Sequence, residues 1–112
     1  MVYGIMANNY KNAKVDLTTT DATVLYTCPA ATTAVMRSIL VSDDSGSGDT
    51  ITVTITDASD AIFNVFNLKA ISANTTSELL SEPLVVQENE VIKVTAATAD
   101  RLHVVASLLE MS

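Results

Sequence analysis

Aromatic residues, cysteine and basic side chains are all scarce in this chain. It contains no Trp, three Tyr, two Phe and one Cys, and six basic residues stand against thirteen acidic ones. A lone cysteine excludes an internal disulfide. A formal charge of −7 with scattered basic residues provides no positive patch for nucleic acid or an anionic membrane. We therefore expect neither nucleic acid nor a membrane among its partners.

Long apolar runs are also missing, and no stretch approaches the length that a membrane span needs. The first twelve residues, MVYGIMANNYKN, lack the basic region and the unbroken apolar stretch of a signal peptide, and their first basic side chain is Lys11. We expect a soluble chain that is made and used without secretion.

What the sequence does contain is Thr, Val and Ile in alternating patterns, which favour half-buried strands. The segment TITVTIT (50–56) alternates strictly. Turn signals recur every 8–12 residues or roughly so, which is typical of a β-sandwich or jelly roll. We predict an all-β fold, with a single β-sandwich or jelly-roll-like domain over 13–112 and an extended N-terminal arm over 1–12. About eight short antiparallel strands are expected, at 13–17, 23–28, 34–41, 50–56, 61–69, 83–86, 91–94 and 101–111. One helical turn fits within 75–82, where Pro83 prevents a longer helix.

The loop SDDSGSGD (42–49) has the strongest resemblance to a site. It does not match a calcium loop, because Asp49 and Ile55 stand where Gly and Glu are required when counting from Asp44. It also lacks the Lys of a phosphate-binding loop. We interpret it as a hairpin turn in which Gly46 and Gly48 adopt positive φ. An adventitious cation site is the alternative.

Candidate catalytic groups have no suitable partners in the sequence. His103 is the only histidine and lies on the face of its strand opposite the core residues. Cys28 precedes Pro29 at a strand end, as a small buried residue would. We predict a protein that is not an enzyme, with no catalytic residues, no cofactor and no bound metal.

Apolar residues remain that one core does not account for. The last strand has Val105, Leu109 and Met111 on the face opposite its core residues. The strand AVMRSILV has apolar residues on both faces, and a bulge near Arg37 would realign part of this pattern. A second buried face supplied by another subunit would explain this pattern. The predicted interface residues are Tyr3, Ile5 and Met6 in the arm, and Val105, Leu109 and Met111.

Two segments resemble a family of small β-sandwich virion proteins of tailed bacteriophages, including phages of marine bacteria and cyanobacteria. They are DATVLYTCPAATTAVMRSILVSDDSGSGDTITVTI and ISANTTSELLSEPLVVQENEVIKVTAATADRLHVVASLLE. The shared features are a Pro-Ala-small-Thr-Thr corner, a Ser-Ile-x-Val strand, a variable hairpin, a Pro-Leu-Val-Val strand and an Ile-x-Val-x-Ala strand. The match covers roughly residues 13–111. Related chains often have Gly at the positions of Ala31 and Asn89, which implies left-handed backbone there.

The resemblance implies a non-enzymatic virion structural protein that is made in the bacterial cytoplasm and located in the virion. The role it favours most is a capsid decoration (cement) protein that binds the major capsid protein or other virion proteins as a homo-oligomer, for which a trimer is one arrangement. A neck, tail or baseplate accessory protein is the alternative. A carbohydrate-binding β-sandwich module of a phage fibre is a second alternative, although sugar platforms favour exposed aromatic residues and this chain has few.

Overall fold

The computed structural model describes residues 8–112, and these form nine β-strands with no helix among them. None of this part of the chain therefore offers a helical segment able to cross a membrane. In chain order the strands are β1 (Asn8–Leu17), β2 (Thr23–Thr27), β3 (Thr33–Asp43), β4 (Asp49–Thr56), β5 (Ile62–Ile71), β6 (Thr76–Glu78), β7 (Leu84–Val86), β8 (Val91–Ala96) and β9 (Leu102–Met111).

The strands form two antiparallel sheets. The first has the order β1-β9-β3-β6, with β7 also pairing with β3, and the second has the order β2-β8-β4-β5. Both β6 and β7 lie along the same edge of β3, β6 beside Leu40–Ser42 and β7 beside Ala34–Met36. The predicted all-β sandwich is confirmed.

The core lies between the two sheets and is built from alternate residues of each strand. In β4, Ile51 and Val53 are completely buried and Ile55 packs against the core from a half-buried position, as the alternation predicts. In β9, the buried residues are Leu102, Val104, Ala106 and Leu108. The residues between them in β9 consequently point away from the second sheet.

A β-bulge at Arg37 resolves the mixed pattern of β3. The pairing of β3 with β9 slips by one residue between Met36 and Ser38. Met36 and Ile39 are therefore both buried, and Arg37 is exposed. Beyond the bulge the alternation resumes, with Val41 inside and Leu40 outside.

The first strand is longer than the sequence pattern predicts. It begins at Asn8, so residues 8–12, which the pattern assigns to the arm, pair with β9 from Asn8 opposite Met111 onwards. These residues lack alternation because all five of them are exposed. The arm residues Tyr3, Ile5 and Met6 lie outside the residues that the structure describes.

The helical turn that the sequence allows within 75–82 does not form. Residues Thr76–Glu78 form β6 and pair with β3. The Glu78 carboxylate does not cap a helix but accepts hydrogen bonds from the backbone N–H groups of Ile39, at 2.8 Å, and Leu80, at 3.2 Å. Pairing with a free sheet edge thus outweighs a weak local helix signal.

Candidate functional site

The loop between β3 and β4 is organised by Asp43, the last residue of β3. Asp43 is only 4% exposed, and its Oδ1 accepts hydrogen bonds from the Ser45 N–H at 2.8 Å, the Ser45 hydroxyl at 2.9 Å and the Gly46 N–H at 3.1 Å. Burial alone would raise the pKa of Asp43, but these hydrogen bonds lower it below its usual range. Gly46 and Gly48 have φ of 79° and 73°, as predicted for the turn. The Asp43 carboxylate therefore stabilises the turn.

His103 lies between two carboxylates from other segments. Its Nε2 is 3.2 Å from Asp16 Oδ1 on β1, and its Nδ1 is 3.6 Å from Asp44 Oδ2 in the loop after β3. The sequence pattern gave His103 no partner, because Asp16 becomes its neighbour only through the β1–β9 register. All three side chains are substantially exposed. Among residues 8–112, no three His, Cys, Asp or Glu side chains are grouped so as to hold a metal ion.

Cys28 lies in the core. It is completely buried, and its Sγ donates to the carbonyl oxygen of Thr32 at 3.3 Å. Burial raises the pKa of the Cys28 thiol, which disfavours the thiolate that a nucleophile requires.

The feature that stands out is the outer face of the first sheet, meaning the side of β1, β9, β3, β6 and β7 that points away from the second sheet. Cross-strand neighbours in antiparallel sheets lie side by side, so the register defines rows of side chains across this face. Two of the rows carry large apolar residues. We refer to them below as the Tyr10 row and the Val105 row.

The Tyr10 row crosses four strands with apolar residues only. It runs from Tyr10 on β1 through Leu109 on β9 and Val35 on β3 to Val85 on β7. Tyr10 is 76% exposed and Val85 is 51% exposed, whereas the two central residues are half-buried by their neighbours. A continuous apolar row of this kind is the pattern of a surface that another molecule covers.

The Val105 row has an apolar centre and oppositely charged ends. It runs from Lys14 on β1 through Val105 on β9 and Leu40 on β3 to Glu78 on β6. Val105 is 39% exposed and Leu40 is 37% exposed. The two charged residues lie on β1 and β6, the outermost strands of the sheet at this level.

Small polar groups separate and border the two apolar rows. Ser107 pairs with Ser38 between the rows, next to the bulged Arg37. The border row beyond Val105 contains His103, Ser42 and Thr76, with a hydrogen bond of 2.9 Å between the hydroxyls of Ser42 and Thr76. A depression of about 500 Å³ at the polar middle of the face is lined by Tyr10, Lys11, Asn12, Arg37, Ser107 and Leu108.

The structure places Val105, Leu109 and Met111 on this outer face, at alternate positions of β9. Four further apolar residues share the face without having been predicted as interface residues: Tyr10, Val35, Leu40 and Val85. The bulge at Arg37 was the signal for Val35 and Leu40, because it decides which residues of β3 point outwards. Val85 is on a short strand and Tyr10 is on a weakly patterned one. Only the strand register shows which residues lie beside them.

Exposed aromatic residues do not gather into a platform in the described part of the chain. Tyr10 lies on β1 of the first sheet and Phe63 lies on β5 of the second sheet. Tyr26 is buried and Phe66 packs against the core. A stacked sugar platform would need such rings side by side.

Comparison with known proteins identifies no family. No protein-family model matches the chain, and no curated protein matches it. Among solved structures, a chain from Bacillus endospore appendages, described as forming a novel family of disulfide-linked pili, is similar with a TM-score of 0.56 at 11% sequence identity. The alignment covers 99% of this chain and 92% of that one. A chain of the cyanophage Pam1 capsid asymmetric unit is similar with a TM-score of 0.47 at 19% identity, over 99% of this chain and 89% of that one. The first likeness shows that the fold of this chain, a sandwich of two antiparallel sheets, occurs in other proteins.

Proposed function

We propose that this chain is a non-enzymatic structural protein of a bacteriophage virion, and specifically a decoration protein that reinforces the capsid. The observation that carries the proposal is the outer face of the first sheet, where the Tyr10 row and the Val105 row leave apolar side chains partly uncovered. A protein whose role is to bind neighbours through a broad surface needs such a face. It does not need the convergent polar groups of an active site.

The connectivity of the strands agrees with this role. If β6 and β7 are counted as two parts of one strand, each sheet has four strands, ordered β1-β9-β3-β6/β7 and β2-β8-β4-β5. We interpret this order as that of a jelly roll, an architecture of viral capsid and lectin domains. This support is an analogy of fold, and proteins with the same fold can have many different functions. Among these functions, the residue-level resemblance to phage virion proteins favours a virion role.

The N-terminal arm is the proposed contact with the capsid itself. Tyr3, Ile5 and Met6 precede β1, which is an edge strand of the first sheet. Each of these side chains would contribute roughly 1.5–3 kcal/mol if it were fully buried against a major capsid protein or another virion protein. Such a contact would attach the domain without using its outer face.

The similar endospore appendage chain belongs to pili that are described as disulfide-linked. A related covalent linkage is not available through Cys28 here, because that thiol is completely buried. We therefore propose that this chain assembles through non-covalent contacts.

Immunogold labelling of intact particles of the phage that encodes the chain tests the proposal. We expect label distributed over the head surface. Label confined to the neck, tail or baseplate would contradict the decoration role and favour the accessory role. Particles without any label would contradict both.

Deletion of residues 2–7 tests the role of the arm. This deletion preserves Asn8 and Asn9, which already pair with β9. We expect a folded domain with an unchanged melting temperature that no longer binds to particles lacking the native protein. Unchanged binding would show that the arm is not the contact with the capsid.

A further inference from the structure

We infer that the outer face of the first sheet packs against the same face of a second copy of this chain, around a two-fold axis that runs parallel to the strands. This inference rests on the assembly role proposed above, because it names the partner of the same surface. Its support is the order of side chains along the two apolar rows.

A two-fold axis along the strands reverses the strand order between the two copies. It places β9 of one copy over β3 of the other, and β1 over the β6 and β7 edge. In the Val105 row, Lys14 then faces Glu78 and Val105 faces Leu40, and each contact occurs twice. The row is thus complementary to itself in both charge and polarity.

The Tyr10 row is also complementary to itself under this axis, but it contains no charged residue. Tyr10 faces Val85, and Leu109 faces Val35. Tyr10 and Val85 are the more exposed ends of their row, so each would cover the other. Tyrosine at an interface supplies large contact area while its hydroxyl remains at the wet rim.

Apart from the unpaired Arg37 at the bulge, which lies near the axis in both copies, the polar rows oppose no like charges in this arrangement. Ser107 faces Ser38 between the apolar rows, and at the border His103 faces Ser42. Asp16 faces Thr76, which carries no charge.

A two-fold axis perpendicular to the strands would instead place Glu78 over Val85 and Lys14 over Tyr10. That arrangement would bury a carboxylate against an apolar side chain, which is unfavourable.

Glu78 is well suited to a fixed contact with the Lys14 of a second copy. Its carboxylate accepts hydrogen bonds from the Ser38 hydroxyl and from the N–H groups of Ile39 and Leu80. Burial opposes ionisation, but these hydrogen bonds lower the pKa of Glu78 and keep it anionic. A carboxylate held in place by its own chain loses less conformational entropy when a partner binds.

The size of the face is compatible with a dimer of modest affinity. Four strands and nine residues of strand length give a face of roughly 20 Å by 30 Å. Two copies would bury about 1,200 Å² in total, which is at the lower end for specific interfaces. We therefore expect reversible dimers in solution that the particle surface would stabilise further.

Two single substitutions test the arrangement. Leu40 and Val105 lie side by side within one chain, but Leu40 of one copy opposes Val105 of the other across the interface only if the copies are related by this axis. Leu40→Lys places a lysine next to Glu78 of its own chain, and Val105→Glu places a glutamate next to Lys14 of its own chain, so both variants should fold. Each substitution occurs twice in a homodimer and sets a charge against an apolar residue. We expect the dimer dissociation constant, measured by sedimentation equilibrium, to rise at least about 100-fold in each variant.

Mixing the two variants provides the decisive measurement. In the mixed dimer, the lysine introduced by Leu40→Lys in one chain would face the glutamate introduced by Val105→Glu in the other. The original Val105 and Leu40 would remain in contact at the second, symmetry-related position. We expect mixing to restore dimerisation to within about tenfold of the unaltered protein. Failure of the mixture to dimerise would overturn the two-fold arrangement.

Val24→Glu is the matched control. Val24 is 50% exposed on β2 of the second sheet and pairs with Lys93, so it reproduces an exposed valine beside a lysine away from the proposed interface. We expect its dissociation constant to be unchanged. An unaltered protein that is monomeric at millimolar concentration, or trimeric, would overturn the inference. Labelling of the phage head would still support the decoration role in that case.

Discussion

The Tyr26 hydroxyl donates a hydrogen bond of 2.5 Å to Glu110 Oε2 and thereby joins the two sheets, since Tyr26 is on β2 and Glu110 is on β9. Tyr26 is buried and the Glu110 side chain is only 12% exposed. The other carboxylate oxygen lies 3.6 Å from Nζ of Lys11 on β1. A carboxylate this close to the core depends on both partners, because an unpaired charge there would be costly.

We predict that Tyr26→Phe lowers the free energy of unfolding by about 1.5–3 kcal/mol, the usual range for a hydrogen bond to a charged group. The ring still fills its space in the core, so the loss arises from the hydroxyl alone. Urea denaturation measures it. Glu110→Gln retains an acceptor for the hydroxyl and should cost less. Equal losses in the two variants would contradict the assignment of the main contribution to this bond.

The same contact predicts a loss of stability at alkaline pH. Burial, and then the hydrogen bond to Glu110, raise the pKa of Tyr26 far above its ordinary value of about 10. The unfolded chain therefore releases this proton first, so the contribution of Tyr26 is complete below pH 10 or so and decreases as pH rises towards the folded-state pKa. Between pH 8 and pH 12, the urea concentration at the midpoint of unfolding should fall less steeply with pH for Tyr26→Phe than for the unaltered protein. Parallel curves would contradict the prediction.

The fold was predictable from the sequence because periodicity and turn signals act locally. The segment TITVTIT alternates. In β3, the bulge at Arg37 was needed to explain why apolar residues occur on both faces of the strand pattern. The short strand β6 was not predictable, because it exists only through pairing with residues 40–42 of β3. The role of Asp43 in the turn was not predicted, although its hydrogen bonds to Ser45 and Gly46 follow the local pattern by which Asp side chains stabilise turns.

The candidate site was only partly predictable for a related reason. Alternation along β9 identifies Val105 and Leu109 as outward-facing, because the core residues between them are unambiguous. The rows to which they belong depend on the register of four strands, and registers such as Leu109 opposite Tyr10 are long-range pairings that a single sequence does not reveal. The contribution of Val85 required the additional knowledge that β7 lies beside β3.

The corner at Ala31 offers a stabilising substitution. Ala31 has φ of 56° and Asn89 has φ of 65°, so both residues adopt left-handed backbone. An alanine in this conformation is strained, whereas asparagine tolerates it. We predict that Ala31→Gly raises the free energy of unfolding by about 0.5–1 kcal/mol. Thermal denaturation measures the change. Asn89→Gly is the control and should change stability little, so an equal gain in both variants would contradict strain at Ala31.

The two glycines of the loop after β3 should differ in their tolerance of a side chain. A Cβ at Gly48 would lie 3.1 Å from the backbone oxygen of Ile71, whereas a Cβ at Gly46 would approach only the Asn74 side chain, at 3.8 Å. Both have positive φ, so Gly46→Ala should cost about 1 kcal/mol from backbone strain. Gly48→Ala should cost more, because a backbone carbonyl must also shift. Equal melting temperatures for the two variants would contradict the close approach of Gly48 to Ile71.

The reactivity of Cys28 distinguishes burial of its thiol from a role in covalent assembly. The thiol is completely buried and donates to Thr32, and burial raises its pKa, so both access and thiolate formation are suppressed in the folded state. We expect a thiol reagent such as Ellman's reagent to modify one thiol per chain rapidly in urea, but to modify the native protein only at the rate of unfolding. Non-reducing electrophoresis of assembled particles should show the chain as a monomer band. Rapid labelling of the native protein would contradict the burial of Cys28, and a disulfide-linked dimer band would contradict non-covalent assembly.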